Sequence, residues 1–170
     1  MLRLFLLHHL NGAGSISKSY GVPGLRLGVL ATSNKEKIAS IRKDVAIWNI
    51  NSFAEFYMQI FSKYERDYKE GLEKFKEDRA LFFRKLSKIQ YLKVIPSEAN
   101  YFLCEIISDF SSYDLTLKLL THYNILIKDC HHKKGFPTDK QYIRIAIRNT
   151  SDNIKLIKAL NQIGEAAIRG

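Results

Sequence analysis

Cysteine is scarce in this sequence, and long apolar runs are missing from it. Only Cys104 and Cys130 occur in 170 residues, too few for a disulfide framework, so we expect free thiols in a reducing compartment. No stretch approaches the ~20 apolar residues that a membrane-spanning helix needs. The apolar start is interrupted at His8 and His9, too early for a signal peptide. These absences predict a cytoplasmic protein.

Metal-binding patterns are also missing. Cys130, His131 and His132 are adjacent in the sequence, and adjacent side chains cannot readily converge on one tetrahedral ion. No distant Cys/His pair has the spacing of a zinc site. We therefore expect no metal.

Acidic residues are fewer than basic ones, 17 against 27, which gives a net charge of +10. Such a balance can indicate nucleic acid, an acidic membrane or an anionic substrate as partner. Between Lys63 and Lys93, however, acids interleave with bases, which is typical of a solvated helix surface. A non-catalytic basic module that binds nucleic acid or another polyanion stays open as an alternative. A steep loss of nucleic-acid binding with salt would support it.

The most informative stretch covers residues 15–28 and reads SISKSYGVPGLRLG. Ser15 and Ser17 lie three and one positions before Lys18, and Arg26 follows eight positions after it. Small hydroxyls and a guanidinium can hold a phosphate dianion, and a lysine amine can condense with an aldehyde to a Schiff base. The pattern therefore suits a phosphorylated carbonyl cofactor.

The backbone around this lysine is predicted to turn. The glycines and the proline between Lys18 and Arg26 favour a tight turn. Residues 25–31 then predict a short strand, in which Arg26 alternates with leucines and points to the opposite face.

The run over residues 15–28 resembles the lysine segment of pyridoxal-phosphate enzymes of fold type I, in the aminotransferase class I/II branch. Within that branch it is similar in particular to histidinol-phosphate aminotransferases and threonine-phosphate decarboxylases. The resemblance implies that pyridoxal 5′-phosphate is the cofactor and that Lys18 is the catalytic residue that holds it. It also implies that Ser15, Arg26 and, as a helper, Ser17 bind the cofactor phosphate, and that the protein is a homodimer.

Three later runs are similar to the same branch. Residues 48–52, WNINS, resemble the segment that leads into the helix joining the two domains of these enzymes. Residues 96–103, PSEANYFL, resemble a run of their small domain. Residues 142–146, YIRIA, resemble the strand that carries a carboxylate-binding arginine shortly before the last helix.

The resemblance implies that Arg144 binds the substrate carboxylate, which a guanidinium can take by two parallel hydrogen bonds. A solvated edge-strand arginine is the alternative interpretation. Lys128 stands where the branch commonly has arginine, and a lysine keeps the charge but loses the planar fork. Lys128 and Asn100 are predicted as further substrate-binding residues.

Hydrophobic periodicity predicts the secondary structure. Asn34 is expected to cap a helix over residues 34–44, and Ser52 to cap a helical stretch over 53–89 that breaks at Gly71. Further helices are predicted over 113–123 and, capped by Ser151, over 151–167. Strands are predicted over 4–7, 93–95, 99–106, 125–130 and 141–148.

Together, pattern and resemblance predict an α/β fold, the C-terminal part of a fold type I pyridoxal-phosphate transferase. We expect a remnant of the large, mostly parallel-sheet domain over residues 1–52, a helical connector over 53–90 and a small α/β domain over 91–170. The acid and the aromatic that contact the cofactor ring in these enzymes are not matched. We therefore expect the chain to be a truncated C-terminal half.

The implied function is transamination of an amino acid or amino-acid phosphate, with a 2-oxo acid as the second small-molecule partner. Decarboxylation of a phospho-amino acid is the alternative. The outcome depends on which bond at the substrate α-carbon stands perpendicular to the cofactor ring, and the sequence does not fix that bond.

Overall fold

The computed structural model describes residues 11–16, 18, 20–46, 48–131 and 133–169. The strand predicted over residues 4–7 and Ser17 of the lysine motif lie outside the described residues. The chain divides into two compact units, Met1–Gly71 and Leu72–Gly170. We describe each unit by itself.

The first unit contains an antiparallel strand pair followed by helices. Strand β1 (Asn11–Ser15) pairs with β2 (Gly28–Thr32). A remnant of a mostly parallel sheet was expected here. The two described strands are antiparallel instead, because the chain reverses direction between them. Helix α1 (Lys35–Asp44) follows, and the side-chain oxygen of Asn34 accepts the Lys37 N–H at 2.8 Å. The predicted cap of this helix is therefore confirmed.

The helical stretch breaks at a different place from the one predicted. Helix α2 (Ser52–Ile60) ends in a 3₁₀ turn (Phe61–Lys63), and α3 (Glu65–Leu86) then runs without interruption through Gly71. The expected break at Gly71 is wrong because one glycine costs a helix only about 1 kcal/mol relative to alanine. The charged helix formers on either side of Gly71 offset that cost.

The second unit is built on a four-stranded antiparallel sheet in the order β3-β4-β6-β5. Its strands are β3 (Leu92–Ile95), β4 (Tyr101–Ile106), β5 (Lys128–Asp129) and β6 (Gln141–Ala146). Strand β5 is much shorter than predicted. The Ile125 N–H donates to the carbonyl of Leu119 at 3.0 Å, so the start of the predicted strand instead closes the end of the preceding helix.

The second unit also contains the part of α3 after Gly71 and two further helices. Helix α4 (Ser112–Tyr123) precedes β5, and α5 (Thr150–Arg169) ends the described chain. The Asn149 side chain, and not Ser151 as predicted, accepts the Asp152 N–H at 2.8 Å at the start of α5. Among the described residues, no helix is long and apolar enough to cross a membrane.

The core of the second unit lies on one face of its sheet. Alternate residues of β4 and β6 are buried there, as the period-two pattern requires: Phe102, Cys104, Ile106, Ile143 and Ile145. Buried residues of α3, α4 and α5 complete the same cluster: Phe82, Leu86, Leu115, Leu119, Leu156, Ala159, Leu160 and Ile163. The opposite face of the sheet carries Glu105 and Arg144 together with Leu103 and Tyr142, and Tyr142 is buried there.

Helix α4 offers a matched test of this core. Leu119 is 0% exposed and its neighbour Leu120 is 43% exposed. Leu119→Ala is expected to lower the free energy of unfolding by about 3 kcal/mol, because it removes buried methyl groups and leaves a cavity. Leu120→Ala is expected to cost less than about 1 kcal/mol in the same urea titration. Equal losses from the two variants would contradict this packing.

Candidate functional site

Lys18 lies in a turn between β1 and β2. The carbonyl of Ile16 accepts the Tyr20 N–H at 3.0 Å, and the carbonyl of Lys18 accepts the Gly21 N–H at 3.2 Å. Gly21 has a φ of 67°, a left-handed conformation that favours glycine. The Lys18 side chain is exposed. The sequence-predicted turn around this lysine is therefore present.

Ser15 ends strand β1, directly opposite Gly28 on β2. Its hydroxyl makes a long hydrogen bond, 3.4 Å, to the carbonyl of Leu27. The hairpin thus brings Ser15 beside Leu27, the residue that follows Arg26, although Ser15 and Arg26 are far apart in sequence.

Arg26 does not lie on a strand, and the prediction that it alternates along one is wrong. It follows a 3₁₀ turn over Pro23–Leu25 and has φ 55° and ψ 38°, which is left-handed backbone. Strand β2 begins only at Gly28. A left-handed residue other than glycine costs about 1 kcal/mol, so neighbouring contacts must hold this turn. The Arg26 side chain is exposed.

Asn51 makes one of those contacts. Its side-chain N–H donates to the Leu25 carbonyl at 3.0 Å, and its side-chain oxygen accepts the Ala54 N–H at 2.9 Å. Asn51, and not the predicted Ser52, is therefore the cap of α2. One amide joins the start of a helix to the turn that carries Arg26. Asparagine is among the best N-caps, so the residue type at position 51 could have predicted the cap. Nothing in the local sequence predicts the bond to the Leu25 carbonyl.

An aromatic cluster holds the other end of the lysine turn. The Tyr20 ring stacks on Tyr68 with centroids 4.9 Å apart, and it meets Phe61 edge-on at 5.1 Å. Burial raises the pKa of Tyr57 in this cluster, and the neighbouring Tyr20 and Tyr68 raise it further. The Tyr20 side chain, two residues beyond Lys18, therefore fixes this end of the turn through its contacts with Phe61 and Tyr68.

The donor set of this hairpin fits pyridoxal phosphate. Lys18 supplies an exposed primary amine for the aldehyde carbon. Ser15 supplies a hydroxyl and Arg26 a guanidinium, the groups that hold a phosphate dianion. Each of these three residues lies on the hairpin or its turn.

Arg144 lies on the outer face of the second unit's sheet. It stands directly opposite Lys128 of β5 on one side and Leu103 of β4 on the other. Its guanidinium carbon is 5.1 Å from the centroid of the Tyr101 ring, within the range of a cation–π interaction. Tyr101 was not singled out from the sequence, because its contact with Arg144 depends on the register between two distant strands.

Arg144 and Lys128 are like charges in register, an arrangement that destabilises a sheet. Within the described part of the chain, neither of them forms an ion pair. Elsewhere on this face Glu105 accepts Lys140 at 2.8 Å, so an acid does offset a cation there. Within the described residues, the charge of this pair is therefore not offset by a carboxylate.

Asn100 is not brought into this pair. Its carbonyl accepts the Ile147 N–H at 2.9 Å, which extends the ladder by one step beyond β4. Along this strand Asn100 is in phase with the buried Phe102 and out of phase with Tyr101. Among the described residues, no group of three or more His, Cys, Asp or Glu could hold a metal ion.

The sequence matches the family model described as aminotransferase class I and II over residues 3–160. The chain belongs to this family. Aminotransferase class I and II proteins depend on pyridoxal phosphate. The resemblance stated from the lysine motif and the cofactor that it implied are therefore confirmed at the level of the family.

Individual members of the family are similar to this chain over most of its length. L-serine phosphate decarboxylase of Campylobacter jejuni is 32% identical over 148 residues, which cover 86% of this chain and 37% of that protein. Threonine-phosphate decarboxylase of Salmonella typhimurium is 32% identical over 149 residues, with coverages of 88% and 40%.

A solved structure shows the same fold. Histidinol-phosphate aminotransferase from Clostridium acetobutylicum superposes with a TM-score of 0.79 at 30% identity, covering 91% of this chain and 45% of that one. The predicted α/β fold is confirmed as part of the fold of this enzyme family. The chain spans less than half the length of each of these three proteins.

The double role of Asn51 can be separated by substitution. Asn51→Asp keeps an oxygen for the cap of α2 but removes the N–H that binds the Leu25 carbonyl. We expect faster hydrogen exchange at the Leu25 amide, which donates to the Val22 carbonyl in the same turn, by about fivefold for a bond worth about 1 kcal/mol, with α2 unchanged. Asn51→Ala should speed exchange in both places, because it also removes the cap. An unchanged exchange rate at the Leu25 amide in Asn51→Asp would contradict this assignment.

Proposed function

We propose that this chain carries the cofactor lysine and the substrate anion site of a pyridoxal-phosphate-dependent aminotransferase. Its substrate would be an amino acid or amino-acid phosphate, as in a histidinol-phosphate aminotransferase, and a 2-oxo acid would be the second substrate. One observation carries the proposal. In a chain of the aminotransferase class I and II family, one hairpin holds Lys18 in a turn with Ser15 and Arg26 at its ends.

The hairpin residues have separate roles in this proposal. Lys18 holds the cofactor through its amine, and Ser15 and Arg26 hold the cofactor phosphate, with Ser17 assigned beside them from the sequence alone. When bound, pyridoxal phosphate withdraws electrons from the substrate α-carbon. The Lys18 Nζ, once displaced by the substrate amine, accepts the proton from that α-carbon and returns it during turnover.

The sheet residues bind the substrate. Arg144 offers two parallel N–H groups to a carboxylate or phosphate, and its guanidinium carbon lies 5.1 Å from the centroid of the Tyr101 ring. Lys128 adds a second positive charge directly opposite, which favours a dianionic phosphate over a single carboxylate. Asn100 remains a proposed polar contact. It lies one residue before β4 and out of phase with Tyr101, so its position supports this role less than the positions of the other two residues support theirs.

A second candidate reaction is decarboxylation of a phospho-amino acid. It is favoured by the names of two relatives, an L-serine phosphate decarboxylase and a threonine-phosphate decarboxylase, each 32% identical. The same residues would hold the cofactor and the substrate phosphate in either reaction. Only the bond held perpendicular to the cofactor ring would differ, Cα–H in one case and Cα–carboxylate in the other.

The proposal extends to the organisation of the protein. Enzymes of this family are typically dimeric, and we propose a homodimer in the cytoplasm. We also propose that the chain consists of a large-domain remnant over residues 1–52, a connector over 53–90 and a small domain over 91–170. Family membership favours this enzyme over the alternative of a basic nucleic-acid-binding module.

Cofactor attachment is the first test. The purified chain with added pyridoxal phosphate should develop a visible absorption band, and borohydride should fix the cofactor to Lys18, as located by peptide mapping. Lys18→Ala should lose both signals because it lacks the amine. Lys37→Ala, which removes an exposed lysine from α1, is the matched control and should keep them. Equal labelling of many lysines, or no band, would overturn the proposal for this chain.

The two reactions are separated by their products. With carboxyl-labelled O-phospho-L-serine and 2-oxoglutarate, an aminotransferase forms glutamate and retains the label, whereas a decarboxylase releases labelled CO₂. We expect one of these products, reduced about 10- to 100-fold in Arg144→Ala, since hydrogen bonds to charged groups are worth about 1.5–3 kcal/mol. Neither product from a chain that holds the cofactor on Lys18 would contradict the assigned chemistry.

A further inference from the structure

Strand β5 is too short to fix Lys128 by itself. Only two of its residues pair with β6, Lys128 with Arg144 and Asp129 with Ile143, and the Cys130 N–H adds one bond to the Tyr142 carbonyl at 2.9 Å. Lys128 points outward and is exposed, whereas Asp129 turns toward the interior. The position of the lysine therefore depends on what holds the aspartate.

A hydrogen-bond network that is part-buried and centred on the fully buried Ser112 holds that aspartate. The Ser112 hydroxyl, on a residue that is 0% exposed, lies 2.7 Å from an Asp129 carboxylate oxygen and 2.9 Å from the side-chain oxygen of Gln141. The same Asp129 oxygen accepts the backbone N–H of His131 at 2.9 Å. The Gln141 side-chain nitrogen is 2.9 Å from Nδ1 of His131. The network therefore joins α4, β5 and β6.

The single proton of the Ser112 hydroxyl goes to the Asp129 carboxylate, which is the nearer acceptor and is charged. The directions of the bonds to Gln141 and His131 follow from a group that can only donate. The backbone N–H of Ser112 lies 3.1 Å from the Gln141 side-chain oxygen, so that oxygen must face Ser112. The amide nitrogen of Gln141 then faces His131 and donates, and Nδ1 of His131 accepts. The geometry thus assigns the proton of a neutral His131 ring to Nε2.

We infer that Ser112, Asp129 and Gln141 position Lys128 opposite Arg144 and so set the affinity of the anion site. The inference rests on the proposed role of that cation pair. Asp129 is adjacent to Lys128 on β5, and Gln141 begins the strand that carries Arg144. Ser112 joins them from a helix anchored in the core by Leu115 and Leu119. These three are positioning residues, because they act through Lys128 and do not contact the anion.

A coupling experiment separates positioning from a purely structural role. Inorganic phosphate is titrated into the ¹⁵N-labelled full chain, and the Arg144 Nε–H signal reports binding. Lys128→Ala and Ser112→Ala are each expected to weaken phosphate affinity about fivefold. The double variant should be no weaker than Lys128→Ala alone, since the network acts through that lysine. Thr121→Val removes another hydroxyl of α4, bonded to the Leu117 carbonyl, and should leave affinity unchanged.

A second variant covers the case in which Ser112→Ala unfolds the chain. Gln141→Leu breaks the network from β6 and should show the same loss, which again disappears in the Lys128→Ala background. Thermal unfolding of every variant identifies those that remain folded. In the native chain, long-range ¹H–¹⁵N spectra should show the neutral His131 ring protonated at Nε2, and protonation at Nδ1 would overturn the assigned bonds.

The failures of the two proposals can be told apart. If Arg144→Ala and Lys128→Ala weaken phosphate binding but Ser112→Ala costs the same fold-change with or without Lys128, the network is only structural. The inference is then overturned while the proposed anion site stands. If phosphate binding is unchanged in Arg144→Ala, as judged by the backbone amides around position 144, both proposals are overturned.

Discussion

The register between β4 and β6 is the constraint on which the second unit depends. It pairs Leu103 with Arg144 and Cys104 with Ile143, so Cys104 and Ile143 face the core and Arg144 faces outward beside Leu103. Because side chains alternate with a period of two, a slip of one residue would bury Arg144 and expose Ile143. The cost of burying an unpaired guanidinium therefore protects the register, and the register in turn fixes Arg144 beside Tyr101 and Lys128.

The first unit is held in a different way. Its described hairpin has few buried side chains, with Leu27 and Thr32 among them, so its lysine turn relies on specific side-chain contacts. Asn51 holds the Arg26 end by a hydrogen bond, and Tyr20 holds the Lys18 end by stacking. A turn fixed at both ends can keep a lysine and an arginine in place without a core of its own.

Local signals made part of this structure predictable. Asn34 caps a helix through the bond that its residue type predicts. The alternation of residues 141–148 correctly placed Ile143 and Ile145 in the core and Arg144 outside it, but the strand ends at Ala146 and Tyr142 on the outer face is also buried. Arg26 was placed wrongly because a leucine–arginine–leucine run has the same alternation whether its backbone is extended or turns left-handed. The contacts of Asn51 with Leu25 and of Tyr101 with Arg144 could not be predicted, because no local pattern records which distant residue a side chain meets.

The difference between a lysine and an arginine at position 128 bears on specificity. An arginine would offer a second planar fork, competing with Arg144 for the geometry of one bound oxyanion. Lysine supplies a compact charge whose direction is set by its flexible stem, so it adjusts to whatever orientation Arg144 imposes. In the proposed site Arg144, beside the Tyr101 ring, would fix the orientation of the anion, and Lys128 would contribute attraction. The same proposal gives the hydrogen-bond network at Asp129 a purpose: a point charge on a two-residue strand would gain its effect only if its backbone stayed in register with Arg144.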